Sequence, residues 1–296
     1  MASCFVTREL PGTALDRLRA AHEVEVWPGE LPPSREELVE HARDAEGLLC
    51  LLTDTIDADV IAACAQLRAI SNYAVGSDNI DAEAAARRGI EVAVTPDVLT
   101  DTTADLAFAL MLAAARRLPE GERAVRAGEW RTWEPSGWLG QDVHGATLCV
   151  VGRGRIGSAV ARRAEAFGMR VVAVGRGDSL VDALAGADFV SIHCPLTDET
   201  RGLIGQAELR AMKPTAVLVN TARGPIVQTE ALRRALTDGE IAAAALDVTD
   251  PEPLPADHPL LAAPNALVVP HIGSATHRTR ERMADLAVEN LLAALG

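Results

Sequence analysis

Leu148-Cys149-Val150-Val151-Gly152-Arg153-Gly154-Arg155-Ile156-Gly157-Ser158-Ala159-Val160-Ala161-Arg162-Arg163 is the stretch whose reading decides the fold. Four apolar residues run into a glycine turn. A helical pattern follows to about Phe167-Gly168, and a second apolar run, Val171-Val172-Ala173-Val174, comes next. The order is strand, glycine-rich turn, helix, strand. In such a unit each glycine of G-x-G-x-x-G has its own reason: Gly152 permits the tight turn, Gly154 lets a pyrophosphate approach the backbone, and Gly157 lets helix and strand pack closely. The unpaired N–H groups and positive dipole end of the helix then hold phosphates. Glycine is common, so the motif alone carries little weight; with a strand before it and a helix after it, the motif points to a bound dinucleotide.

The alternation extends in both directions. Strands at 3–7, 24–26, 47–52, 69–72 and 90–94 alternate with helices at 12–21, 34–43, 58–65 and 82–88, which predicts a small α/β unit on a parallel sheet over residues 1–99. Thr95-Pro96-Asp97 breaks the pattern. Asp101-Thr102-Thr103-Ala104-Asp105 then opens a helix to about Leu118, with Thr and Asp available as N-caps. That helix is apolar nearly all round, so it should be buried between units, and the domain boundary falls just ahead of it. Beyond the glycine turn, strands are expected at 189–194, 216–220, 241–246 and 267–273, with a closing helix over 276–292. Their ends present His193, Arg223, Asp247 and His271, and functional groups in open α/β sheets gather at such ends. The expected class is therefore α/β, with two Rossmann-like, doubly wound parallel-sheet domains.

Length and composition agree with this class. A chain of 296 residues fits two domains at roughly 150 residues each. Its 48% apolar and 24% charged residues are ordinary for a globular protein. No apolar run approaches the roughly 18 residues of a membrane span, and the N-terminus reads as a first strand, not a signal peptide. The five cysteines, Cys4, Cys50, Cys64, Cys149 and Cys194, are scattered and lack metal-ligand spacing, so free thiols in a reducing cytoplasm are expected. The net charge of −14 argues against nucleic acid or an anionic membrane as partner. A small anion needs only a locally basic pocket.

Three residues can be given chemical roles. Arg223 follows a strand and precedes a glycine, so it can point into a crevice. Glu252 lies in Asp247-Val248-Thr249-Asp250-Pro251-Glu252-Pro253, a loop held by two prolines, and His271 lies in Pro270-His271-Ile272-Gly273-Ser274. Hydride transfer to a carbonyl needs a proton donor at the developing alkoxide, a task suited to imidazolium near neutral pH. A paired carboxylate favours the charged imidazole. A guanidinium can hold a substrate carboxylate and polarise the adjacent carbonyl. The second apolar run of the dinucleotide unit ends in Gly175-Arg176, where an acid would mark NAD through the ribose 2′-OH. An arginine there suits a 2′-phosphate, so NADP is favoured over NAD, which stays possible because Asp178 follows two residues later. Residues 129–140 are loop-rich and carry Trp130, Trp133 and Trp138, three of the four tryptophans, which points to a subunit interface and a homodimer.

The chain resembles the D-isomer-specific 2-hydroxyacid dehydrogenases over essentially its whole length. The carrying stretches are Asn72-Tyr73-Ala74-Val75-Gly76-Ser77-Asp78-Asn79-Ile80-Asp81, residues 95–105, the glycine turn, Asn220-Thr221-Ala222-Arg223-Gly224, Asp247-Val248 with Glu252-Pro253, and Pro270-His271-Ile272-Gly273-Ser274. Within that family it looks most like glyoxylate/hydroxypyruvate reductases, through Leu49-Cys50-Leu51-Leu52-Thr53-Asp54 and the stretch from Trp133-Glu134-Pro135 to Trp138-Leu139-Gly140. The resemblance implies NAD(P)H-dependent reduction of a small 2-oxo acid to the D-2-hydroxy acid. In that scheme Arg223 binds the carboxylate and carbonyl, Glu252 pairs with His271, and His271 is the general acid. It further implies that the Val75 and Gly76 amides hold the carboxylate beside Leu52, and that Arg155 and Ile156 meet the pyrophosphate. Thr103, Asp247 and Gly273 would lie along the nicotinamide and Cys194-Pro195 along the adenosine, with Thr221 and His271 also contacting the cofactor. The substrate domain would comprise 1–99 and a returning helix at 276–296, the dinucleotide domain 100–275, with catalysis in the cleft between them. Other substrates of the family (another 2-oxo acid, 3-phosphoglycerate, phosphite) and a nucleotide-sensing corepressor are the alternatives. From Gly175 to Asp188 the chain looks shorter than is usual for the family.

Overall fold

The computed structural model describes residues 1–263 and 265–296. The chain divides into two compact units, Met1–Leu99 with Ser274–Gly296, and Thr100–Gly273. In the first, β1 (Ser3–Val6), α1 (Ala14–Ala21), β2 (Glu23–Val26), α2 (Arg35–Ala42), β3 (Gly47–Cys50), α3 (Ala58–Ala63), β4 (Ala69–Asn72), α4 (Ala82–Arg87) and β5 (Glu91–Ala93) alternate. The five strands are all parallel, in the order β2-β1-β3-β4-β5. β3 and β4 are buried at every position because helices cover both faces, whereas β2 at the edge alternates. Local chemistry sets the helix starts. Ser34 and Glu37 form a reciprocal capping box, and the Asp57 and Asp81 carboxylates accept first-turn N–H groups of α3 and α4.

The second unit begins with α5 (Thr100–Ala115) and α6 (Leu118–Arg126). It continues through β6 (Thr147–Val151), α7 (Arg155–Ala166), β7 (Arg170–Val174), α8 (Leu180–Gly186), β8 (Phe189–Ile192) and α9 (Gln206–Ala211). It ends with β9 (Val217–Asn220), α10 (Thr229–Thr237), β10 (Ala243–Leu246) and β11 (Ala266–Val268). Its sheet, parallel throughout, has the order β11-β10-β9-β8-β6-β7. The winding direction reverses between β6 and β8, the position at which such sheets open a ligand crevice. All five β6 residues are buried: Leu148 and Val150 pack with α5 and α7 on one face, Cys149 and Val151 with α8, α9 and α10 on the other. The apolar α5 lies against β9, β10 and α7 of its own unit.

The chain closes with α11 (His277–Leu295), which packs on α1, β3 and β4 of the first unit. There Ser71 Oγ donates to Ala287 O at 2.8 Å, and Asn290 Nδ2 donates to Val94 O at 3.1 Å. Among the described residues no helix is long and apolar enough to cross a membrane. All five cysteines are free thiols, four of them buried.

Two expected elements differ. The helix expected to run to about Leu118 stops at Ala115, because Arg117 takes a left-handed backbone (φ 53°) and Pro119, with no N–H to give, sits in the first turn of a separate α6. The last strand ends at Val268 and does not reach Gly273. Pro270 cannot donate to a ladder, and His271 turns left-handed (φ 51°), giving its N–H to Asp247 O.

Candidate active site

The turn after β6 is shaped by contact. A Cβ on Gly152 (φ 107°) would stand 2.6 Å from Cys194 N, and one on Gly157 would stand 2.1 Å from Gly152 O, so neither position tolerates a side chain. A Cβ on Gly154 meets nothing within 4 Å, so that residue presents bare backbone to open space. Gly154 is also the N-cap of α7 and has no side chain to bond the first helical N–H groups, in the turn carrying Arg155 and Ile156. At the end of β7, Arg176 is 86% exposed in its side chain and pairs with Glu199 Oε2 at 2.9 Å. Arg153, which sequence reading left without a role, lies at the same strand end. It donates to Ala173 O at 2.9 Å and to Asp178 Oδ2 at 2.6 Å, an oxygen that also accepts from Gly175 N at 2.7 Å. Its place inside a turn that borders β7 was the available signal.

His271 and Glu252, 19 residues apart, meet: Nδ1 and Oε1 are 2.6 Å apart, and Nε2 has no partner among the described residues. Glu252 is held from its own loop, where Thr249 N donates to Oε2 at 3.3 Å and Thr249 Oγ1 donates to Pro251 O at 2.8 Å. Burial works to raise the Glu252 carboxyl. The hydrogen bond and charge of His271, the Thr249 N–H and the Arg223 guanidinium outweigh it and hold the group below its ordinary value. Asp247 fixes the histidine turn from behind, its carboxylate accepting from Ile272 N at 2.6 Å and Gly273 N at 2.8 Å. Burial raises the Asp247 carboxyl against these two bonds and the charge of His271. Arg223 projects from the end of β9. Asn220 takes the Ala222 N–H at 3.0 Å and donates to Arg223 O at 2.9 Å. Gly224 is required behind it, since a Cβ there would fall 1.9 Å from Thr249 O.

The remaining strand-end residues separate by role. His193 bonds Ser191 Oγ through Nε2 at 2.7 Å, and burial pushes its imidazole down to about 4, which keeps it neutral. The His193 and Cys194 backbone backs the Gly152 turn, and Pro195 follows directly in the chain. Thr103 Oγ1 donates to Gly273 O at 3.3 Å. Thr221, at the end of β9, is buried, and its Oγ1 finds no hydrogen-bond partner among the described residues. A buried hydroxyl left unsatisfied is costly, and a polar ligand group beside it would remove that cost. The open backbone at Gly154, the uncapped start of α7 and the orphaned Thr221 hydroxyl together fit a dinucleotide along this edge of the second unit.

In the first unit, Leu52 follows β3, and Val75 and Gly76 follow β4. Leu52 and Val75 are exposed. Among the described residues the Val75 and Gly76 N–H groups donate to nothing.

The second unit matches, over residues 108–273, the NAD-binding domain of the D-isomer-specific 2-hydroxyacid dehydrogenases. The whole chain is 50% identical to the glyoxylate reductase of Korarchaeum cryptofilum, over 98% of this chain and 91% of that one. Among solved structures, a protein of Thermus thermophilus superposes with a TM-score of 0.93 at 53% identity, covering 99% of this chain and 96% of the other. The NADPH-dependent glyoxylate/hydroxypyruvate reductase of Sinorhizobium meliloti, solved with NADP and malonate, gives 0.86 at 32%, covering 100% and 94%. With this domain match and a relative 50% identical over nearly the full length, the chain belongs to the D-isomer-specific 2-hydroxyacid dehydrogenase family as a nicotinamide-dependent enzyme.

Proposed function

We propose that this enzyme reduces glyoxylate or hydroxypyruvate to the corresponding 2-hydroxy acid, of D configuration where the product is chiral, using NADPH in preference to NADH. The observation that carries the reading is the His271–Glu252 contact at 2.6 Å with Nε2 left open, on the same row of strand ends as Arg223. Thr103, Asp247 and Gly273, with Thr221 nearby in the sequence of strand ends, would hold a reduced nicotinamide, which would supply the hydride. Arg223 holds the substrate carboxylate and draws charge onto the carbonyl oxygen, and the Val75 and Gly76 N–H groups take the carboxylate beside Leu52. In the doubly protonated imidazole Nδ1–H is directed at Glu252, and the Nε2 proton passes to the carbonyl oxygen as it becomes a hydroxyl, leaving the ring neutral. Gly152, Gly154, Arg155, Ile156 and Gly157 would hold the cofactor phosphates, with Cys194 and Pro195 toward the adenosine. The relatives support the substrate: the Korarchaeum protein is a glyoxylate reductase, and the Sinorhizobium enzyme is NADPH-dependent and acts on glyoxylate or hydroxypyruvate.

Glyoxylate-dependent oxidation of NADPH, followed by absorbance, is the direct test. Turnover with glyoxylate or hydroxypyruvate is expected, and its absence with both refutes the substrate assignment. Arg176 supports NADPH: exchanging its Glu199 partner for a 2′-phosphate trades one exposed ion pair for a doubly charged one. Turnover with NADH but not NADPH would remove that role.

A homodimer is the second part of the reading. Trp130 (62% exposed) and Trp133 (78%) stand out from the segment after α6, with Trp138, Leu139, Leu118 and Val125 also exposed. The Arg117 guanidinium lies 5.8 Å from the Trp138 ring centre, and these residues border a hollow of about 590 Å³ with Glu129 and Glu134. Apolar surface of this extent, rimmed by charge, suits a second copy of the chain. Light scattering is expected to give the dimer mass, and Trp133→Ser to shift it toward the monomer; a monomeric wild type rejects the interface. The unpaired thiols and the acidic surface agree with a cytoplasmic enzyme.

A further inference from the structure

We propose that Asn79 is a positioning residue of the substrate site, tying the loop after β3 to the loop after β4 so that Leu52, Val75 and Gly76 meet the substrate in one geometry. Its amide Nδ2 donates to two carbonyls of the first loop, Leu51 O at 3.0 Å and Asp54 O at 2.9 Å. Its Oδ1 accepts from Asn72 Nδ2 at 2.8 Å, and the same Nδ2 donates to Gly76 O at 2.8 Å. Asn72 is fully buried at the end of β4, so the chain of bonds is anchored in the sheet. At the far end, the buried Asp54 carboxylate takes the Leu51 N–H at 2.7 Å and the Thr7 hydroxyl at 2.5 Å. The backbone adds a further link, with Ile56 N donating to Asn79 O at 2.9 Å.

The two loops leave neighbouring strands and pair again at an isolated parallel bridge between Ile56 and Ile80. Between the strand ends and that bridge the Asn79 side chain ties one loop to the other, and without it residues 51–54 and 73–78 would be freer to sample separate conformations. An unpaired N–H pair binds a carboxylate well only if it is held in place beforehand, because ordering it at the moment of binding costs affinity. Asn79 satisfies its donors and its acceptor within this network, which is the arrangement that makes a polar network specify one geometry. The role belongs to the ground-state grip on the carboxylate, not to hydride or proton transfer.

The proposal rests on the 2-oxo-acid reading above, and steady-state kinetics of the full-length enzyme with glyoxylate and NADPH separates the two. A wild type that reduces neither glyoxylate nor hydroxypyruvate refutes that reading and this proposal with it. With an active wild type, Asn79→Ala is expected to raise the glyoxylate KM about tenfold or more, while kcat at saturation falls less than about threefold, the pattern of lost uniform binding. The KM for NADPH should hold, because the cofactor residues belong to the other unit. Asn79→Asp keeps the volume but turns an acceptor toward the Leu51 and Asp54 carbonyls, so it should not rescue; a wild-type KM in that variant overturns the donor role. Thr7→Val removes only the far anchor and should raise KM about threefold, which keeps the proposal testable if the Asn79 variants fold poorly. Hydrogen exchange provides the direct structural check. Amides of 51–54 and 73–79 should exchange faster in Asn79→Ala while those of 147–174 do not change. Unchanged KM in both Asn79→Ala and Thr7→Val, or unchanged exchange in the two loops, overturns it.

Discussion

Replacing His271 with Ala is expected to lower kcat for glyoxylate reduction by about 10²–10⁴-fold, the range over which a positioned general acid acts. Reduction leaves negative charge on the carbonyl oxygen unless a proton arrives. In the proposed mechanism His271 delivers it, with Nδ1 held 2.6 Å from Glu252 and Nε2 without a partner among the described residues. The loss should fall on kcat more than on KM for NADPH, because the turn proposed to hold the dinucleotide is shaped by backbone contacts at Gly152 and Gly157 that do not involve the imidazole. Quenching of tryptophan fluorescence on adding NADPH checks this point, and unaltered binding is expected. His271→Gln, which keeps a hydrogen-bonding group but no exchangeable acid of comparable strength, should be nearly as slow. Full turnover in His271→Ala would discard the general-acid role and leave the Glu252 contact a structural pair. The Glu252 carboxyl, held below its ordinary value, adds a pH consequence. Stability from the pair is complete above the unfolded carboxyl value and is lost as pH falls through the lower folded one, so acid should loosen this loop first at its histidine contact.

Arg223→Ala is expected to lower kcat/KM for glyoxylate by about 10³-fold or more, with both kcat and KM affected. Two separate losses combine. A guanidinium gripping the substrate carboxylate contributes to binding through charge-assisted bonds. The same group near the carbonyl oxygen stabilises charge that develops only as hydride arrives, and removing one such donor costs about 10²–10³ in kcat. Arg223→Lys tests the geometry: a point charge cannot form a fork, so much of the loss should remain. The effect on KM is what distinguishes this variant from His271→Ala. The Arg223 backbone should survive either change, because Asn220 holds Arg223 O and Gly224 packs on Thr249 without help from the side chain. Wild-type kcat/KM in Arg223→Lys would show that no bidentate contact is made.

The local pattern of the chain carried the reading from the glycine turn to two parallel sheets. A buried strand such as β6 is apolar at every position whatever its neighbours are, and a glycine between strand and helix is demanded by contacts a few residues away. Arg223, Asp247 and His271 were legible as strand-end residues for the same reason. The break at Arg117 and the early end of β11 were harder to see. In each, one residue within two positions of a proline turns left-handed, and that choice depends on what surrounds it. Arg153, likewise, looked like filler between two glycines until the end of β7 came alongside it.

Sequence by itself determined the class of fold, the position of the dinucleotide turn and the residue types that meet at the strand ends, because these follow from periodicity and from contacts between near neighbours. Tertiary structure alone decided which groups touch. The order of strands brings Glu252 to His271 across 19 residues and Asn79 to Leu51 across 28. It seats the Asp247 carboxylate under the histidine turn and leaves Thr221 Oγ1 buried without a partner among the described residues. Such bonds span distances along the chain that no local propensity reports, and only packing the sheets closes them.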